Sequence, residues 1–311
     1  MRSYRKLLFS AGLFLILALF PLLVNNDYYQ HLLILVFMWV VLGSAWNLLG
    51  GYTGQVSFGH AVFFGVGAYT AGLLYLKLDL SPWWGMAFGG LAACIYGIPL
   101  GLLCFRLKGP YFALAMLALA EVTRLVANNW VSFTEGMVGI LIIPTFVSKL
   151  PYYYLSLILA AASILTVSLV MKSRLGFYFL SIREDQDAAE SIGIPTTAYK
   201  MIALMLSAFF TGTAGAFYMN YMGFIDPEVV FSLPHISIMI IMVVIIGGVA
   251  TIWGSALGAA IMVLLSEVFR TLLGTAHVLS FGIIVVIIII FLPNGLMGEK
   301  ERFKKLILFN L

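Results

Sequence analysis

Stretches of about twenty apolar residues recur along this chain, parted by short polar turns, and that repetition leaves few folds open. Crossing roughly 30 Å of hydrocarbon takes about 20 residues of helix. Within lipid only helices and closed barrels satisfy every backbone amide. Ten stretches qualify or nearly do: 7–24, 31–49, 59–76, 83–105, 111–127, 153–171, 201–222, 236–253, 255–273 and 278–292. Only the Gly247, Gly248 and Trp253–Gly254 region separates the eighth from the ninth. The expected fold is an all-α polytopic membrane bundle of about ten transmembrane helices, eight being the alternative count, forming a single transmembrane domain over residues 1–311.

Composition enters where it excludes. The chain is 62% hydrophobic and 10% charged, whereas soluble chains carry about 25% charged residues. Soluble globular, disordered and nucleic-acid-binding readings all fail on that contrast. The net charge of +4 is therefore read by position. With the amino terminus placed inside, thirteen of the 17 basic residues fall on the inner side: Arg2, Arg5, Lys6, Arg106, Lys108, Lys172, Arg174, Arg183, Lys200, Lys300, Arg302, Lys304 and Lys305. Lys77 and Lys149 fall outside, Arg270 near an outer end and Arg124 within a span. The positive-inside rule then puts both termini in the cytoplasm. Met1 to Lys6 is basic and residues 7–24 are apolar, but no small-x-small cleavage pattern follows before Asn25, so a retained first span is expected.

Cys94 and Cys104 lie on different helix faces, and His31, His235 and His277 are scattered without ligand spacing, so neither a disulfide nor a metal centre is expected. In the fourth span Gly85, Gly89, Ala93, Gly97 and Gly101 recur every four residues. That strip suits close helix packing in lipid, and Pro99 is expected to bend the helix near its inner end.

Three segments carry more than packing. Around Gly50 to Gly59 the glycines are too dense for a simple helix, since each costs up to about 1 kcal/mol. An interrupted helix or re-entrant turn is expected, with Gly51, Gly54, Gln55, Ser57 and His60 beside a transport pathway. The plain alternative is tight packing and an ordinary loop. Glu121 and Arg124 sit three apart in the fifth span, near enough to pair, and their cost in lipid requires that they face protein or water. They are read as a structural ion pair or as a pathway-adjacent gate. Glu267 and Arg270 repeat the spacing near an outer end. Finally, the connection 172–200 contains Arg183, Glu184, Asp187, Ala188, Ala189 and Glu190, followed by Gly193 and Pro195. A short surface helix is expected there, with Gly193 and Pro195 as its stop. The small face of Ala188 and Ala189 could seat in another protein's groove.

Together these segments resemble the LivM-type permease subunit of branched-chain amino acid ABC importers over about Trp46 to Asn294. The run Gly51, Tyr52, Thr53, Gly54, Gln55, Val56, Ser57, Phe58, Gly59 and His60, continued by Gly67, Ala68 and Tyr69, is similar to that family's Gly-rich segment. Asp187, Ala188, Ala189 and Gly193 resemble the importers' Glu-Ala-Ala-x-x-x-Gly coupling motif, with Asp187 in place of the first Glu. Residues 207–219 and 247–258 match later glycine-rich segments. Thr134, Gly136 and Gly139 resemble an external Thr-x-Gly-x-x-Gly feature, in which Val138 stands where a polar residue is usual.

The resemblance implies a non-catalytic subunit of the bacterial inner (plasma) membrane that binds no cofactor itself. Two partner ABC ATPases would use ATP and Mg, a second homologous permease would complete the passage, and a periplasmic or lipid-anchored protein would deliver solute. Surrounding lipid is its other partner, and nucleic acid is not one. The chain contains no G-x-x-x-x-G-K-[ST] phosphate loop, in keeping with an external motor. Competing readings are an ABC permease for urea or short amides, and an ion-coupled secondary transporter using Glu121, Arg124 and His60. The inward placement of the 172–200 connection is testable: single cysteines at Asp187 and Glu190 should react with an impermeant maleimide in inverted vesicles and stay unlabelled in intact cells.

Overall fold

The computed structural model describes residues 2–24, 26–273, 282, 286, 290 and 295–298. The expected tenth span, 278–292, and the basic run Lys300 to Lys305 lie almost wholly or wholly outside them. Among the described residues, eight helical stretches are long and apolar enough to cross a membrane, matching the second to ninth expected spans, and the fold is an all-α polytopic bundle.

The chain opens with α1 (Arg2–Leu23) and α2 (Asp27–Trp46); the latter starts where the Asn26 side chain accepts from Tyr28 N. After a π-helical turn, Asn47–Tyr52, and an extended break come α3 (His60–Leu78), α4 (Pro82–Cys104) and α5 (Pro110–Asn129). Proline at the start of α4 and α5 costs nothing, because the first-turn amides are unpaired anyway. Short α6 (Val131–Thr134) leads through a surface loop to α7 (Leu150–Lys172). Next come α8 (Arg174–Glu184), α9 (Gln186–Ser191) and the long α10 (Thr196–Met222). Two short strands, β1 (Ile140–Leu141) and β2 (Phe224–Ile225), pair antiparallel with Ile140 opposite Ile225.

The eighth span departs from the expected 236–253. It runs Pro227–Gly247, as α11 (Pro227–Val230), a π-turn over Leu233–Ile238 and α12 (Met239–Gly247). Asp226 caps its start through Val229 N at 2.7 Å, and Pro234 at the head of the π-turn prevents one continuous helix. Gly248 then turns the chain into α13 (Gly254–Leu273), so the eighth and ninth spans are separate.

Helix α10 lies at the centre, packed along α3 and α4, while α2 packs against α7 and α13. Lipid supplies no hydrophobic drive between helices, so contact depends on how closely backbones approach. A Cβ added at Gly67 of α3 would stand 1.9 Å from the Gly212 carbonyl of α10, and one at Gly215 would stand 1.9 Å from the Phe64 carbonyl. The expected α4 strip belongs to the same junction: Gly85 faces Ala71, Gly89 faces Gly67 and Ala216, Gly97 faces Phe63, and Gly101 faces Met201 and Leu204.

Alternation of the spans places Arg106, Lys108, Lys172, Arg174, Arg183 and Lys200 at one end of the bundle, here the loop end. Lys77, Lys149 and Arg270 lie at the opposite end. Gly67→Val should force α3 and α10 apart, at a cost of about 1–3 kcal/mol or more. Thermal melts in detergent should show a clearly lowered midpoint. Gly97→Ala, where the nearest atom is 3.3 Å away, should change it little.

Candidate functional site

Two neighbouring features at the loop end make up the site. The first is the break between α2 and α3. Seven residues, 53–59, carry no regular structure, and unpaired amides there would be costly inside a membrane protein. The chain meets part of that cost locally. Trp46 Nε1 donates to the Ser57 carbonyl at 2.8 Å, Thr53 Oγ1 donates to the Leu48 carbonyl at 2.8 Å, and Gln55 N donates to the Leu49 carbonyl at 3.0 Å. The Ser57 hydroxyl accepts from Gly59 N at 3.2 Å, and Ser237 Oγ accepts from Ala61 N at 2.9 Å. Asn47 holds the α12–α13 turn, donating to the Thr251 carbonyl at 2.9 Å and accepting from Ala250 N at 2.8 Å.

His60 completes this knot. Its Nδ1 lies 3.2 Å from Ser57 Oγ and its Nε2 lies 2.7 Å from Ser207 Oγ on α10, and all three side chains are fully buried. Gly51 is also buried, with the Asn47 side chain against it. Gly54 is exposed and Gln55 half-buried, so the break surfaces at Gly54 to Val56 and turns back inward at Ser57. Gly54 has φ +74°, and a Cβ there would meet the Arg183 backbone and stem at 3.2–3.3 Å. The break and the loop therefore touch.

The second feature is the loop itself. One short helix was expected; two are present, because Asp185 leaves helical geometry and caps α9. Its carboxylate accepts from Asp187 N at 2.9 Å and Ala188 N at 3.0 Å. Gly193, at φ +88°, ends the helix as anticipated. Ala188 and Ala189 do not share a face: Ala189 is buried against its own chain, while Ala188 is exposed beside Asp187 and Ile192. Glu190 accepts from Thr196 Oγ1 at 2.5 Å and Gln186 Nε2 at 2.8 Å, and these bonds hold its carboxyl below the usual range. Glu184 and Arg183 are exposed at the end of α8.

Comparison with known proteins decides what such an arrangement belongs to. The family model for the permease component of branched-chain amino acid transport systems matches residues 28–292. The chain belongs to that family. Its relatives include the permease protein LivM of the high-affinity branched-chain amino acid transport system in Salmonella typhimurium (strain LT2) and in Escherichia coli (strain K12). Each is 27% identical over 95% of this chain and 76% of the relative. No solved structure matches. A multi-pass membrane bundle is what a permease of this family requires.

The permease also gathers residues that motif reading passed over. Lys108, between α4 and α5, forms an ion pair with Asp187, and that bond raises the lysine's pKa. Such an exposed pair adds little stability, but it ties α9 to the α4–α5 turn. Lys200 is fully buried under α9; its Nζ donates to Gln186 Oε1 at 2.5 Å and lies 5.9 Å from the Phe105 ring centroid. Gln186 thereby links Lys200 to Glu190. A lysine opening an apolar span was the available signal.

Glu121 and Arg124 do pair on α5, some distance from the knot, and Arg124 also binds Glu228 of α11, which Asn128 Nδ2 reaches at 2.7 Å. Thr134 Oγ1 donates toward the Ala127 carbonyl at 2.6 Å, while Gly136 and Gly139 adopt positive φ, so these residues shape a turn; Val138 is exposed. Replacing His60 with Leu would strand the Ser207 hydroxyl in the interior and leave Ser57 Oγ only its bond from Gly59 N. A loss of about 1–3 kcal/mol is expected, read as a lower melting midpoint, with His60→Gln recovering part of it.

Proposed function

We propose that this permease is the membrane subunit of an ABC importer that passes branched-chain or related amino acids inward across the inner (plasma) membrane. Alternating access is driven by ATP and Mg bound to two separate ATPase subunits. A solute-binding protein delivers the amino acid, and a second homologous permease supplies the other wall of the passage. The chain contributes no catalytic step.

The observation that carries this reading is the mounting of α9. Its outward side offers Asp187, Ala188 and the exposed Ile192, a small apolar patch flanked by charge that suits a cleft on a partner. The helix is pinned at three places: Lys108 on the α4–α5 turn, which pairs with Asp187, Lys200 at the head of α10, which holds Gln186, and Ala189 packed inside. A push on α9 thus reaches α10, the helix against which α3 and α4 pack, and Arg183 of the adjoining α8 rests on the broken segment at Gly54. Gly51, Gln55, Ser57 and His60 act in this scheme as the fulcrum of the moving helices, with Glu121 and Arg124 as a gate at the far end of α5.

The test is uptake by the complete complex in proteoliposomes loaded with ATP and Mg. Leucine accumulation that ceases without ATP supports the proposal; accumulation by the purified chain alone under a proton or sodium gradient overturns it, and uptake of urea in preference to leucine moves the solute. Lys200→Met should keep the ATPases bound and hydrolysing while uptake falls about tenfold, equivalent to about 1.4 kcal/mol. Equal loss of hydrolysis and uptake would remove Lys200 from the coupling path.

A further inference from the structure

A groove of about 180 Å³ opens at the opposite end of the bundle, between α2, the start of α12 and the second half of α13. None of its residues belongs to the broken segment or the loop. Tyr28, His31, Glu267 and Arg270 form its polar rim, and Ser266 also lines it. Leu35, Trp39 and Met262 lie deeper and are apolar.

The rim is built. Tyr28 Oη donates to Glu267 Oε1 at 2.7 Å, and Arg270 Nη2 donates to the same oxygen at 2.9 Å. His31 Nδ1 is hydrogen-bonded to Tyr221 Oη, and the two rings stack at 5.7 Å, which fixes the imidazole against α10. The Glu267 side chain is 21% exposed and that of Arg270 is 65% exposed. The carboxylate is therefore set into the wall, while the guanidinium, paired to it through Nη2, is mostly exposed and has further N–H donors to offer a ligand. Opposite charges one helical turn apart, above an apolar floor, match a molecule that carries an ammonium and a carboxylate on one carbon with a hydrocarbon branch below. A few placed polar groups over an apolar lining is how small-molecule sites gain orientation.

Charge separates this ligand from an anionic lipid headgroup. A phosphate at the rim would sit beside the Glu267 carboxylate.

We infer that this groove binds the free zwitterionic amino acid at the end of the permease opposite the loop, through Arg270 to its carboxylate, Glu267 to its ammonium, and Leu35, Trp39 and Met262 to its aliphatic branch. The inference rests on the amino-acid reading above and adds to it a location and a mode of recognition.

Scintillation-proximity binding of tritiated leucine tests it, using the complete complex in lipid nanodiscs without its solute-binding protein. The wild type should bind saturably, with displacement by isoleucine and none by urea. Arg270→Gln, at an exposed position, and Met262→Trp, which fills the floor, should each weaken binding about tenfold or more, or about 1.4 kcal/mol, and Arg270→Lys should retain part of it. Co-purification of the ATPases certifies each variant as assembled.

Absence of saturable leucine binding overturns the site, as does undiminished binding in both weakening variants. So does co-purified phospholipid that Met262→Trp displaces while leucine fails to bind. ATP-driven uptake in the same preparations distinguishes the two levels. Leucine transport that continues unchanged in the groove variants leaves the proposed function standing and removes the groove. A wild type that neither binds nor transports leucine removes both.

Discussion

A backbone amide inside a membrane protein has no water to fall back on, and the interrupted helix between α2 and α3 confronts that constraint directly. Seven consecutive residues leave helical geometry, and bonds from Trp46 to the Ser57 carbonyl, from Gln55 N to the Leu49 carbonyl and from Gly59 N to Ser57 Oγ hold the break, while His60 to Ser207 and Ala61 N to Ser237 anchor the start of α3 beside it. Because Ser207 lies on α10 and Ser237 on the π-turn before α12, the break is also what locks four elements together. A continuous helix would need none of these partners. The cost is a set of buried hydroxyls and one imidazole that depend on their neighbours for partners.

Glycine solves the neighbouring problem of cohesion. Gly67, Gly212 and Gly215 bring α3, α4 and α10 to backbone contact, so the three move as a block or not at all. Small shifts imposed at one point of such a block propagate because packed interfaces switch between discrete arrangements more readily than they deform. Lys200 is where the loop meets that block. A buried ammonium held by one amide oxygen and an aromatic ring is an expensive way to fasten two helices, and its presence fits a joint under load better than it fits a connector left in solvent.

Much of this was legible from the residues. Apolar run length marked the eight spans that the structure describes, because hydrocarbon thickness dictates helix length. Glycine density marked the break, and the Glu121–Arg124 spacing marked a pair, since three residues place side chains on one helix face. Other parts were not legible. Ala188 and Ala189 read as one small face, but adjacent residues on a helix point about 100° apart, and which of them turns inward depends on Asp185 breaking the helix one step earlier. Glu228 joined Arg124 across about a hundred residues, and no local pattern signals such a meeting. The same holds for Tyr28 with Glu267.

The sequence alone determined the class of protein, the order of its apolar stretches, the position of the broken segment and the polar loop, and the resemblance that the family match then made firm. These follow from properties that act over one helix turn or one membrane thickness. Only the tertiary structure decided that the break rests on Arg183, that Lys108 and Lys200 hold α9 from two sides, that His60 is a buried tie between α3 and α10, and that a charged rim sits over an apolar groove between α2 and α13. Each of those depends on which helix neighbours which, and neighbours are chosen by the summed fit of many small contacts that no short stretch of chain contains.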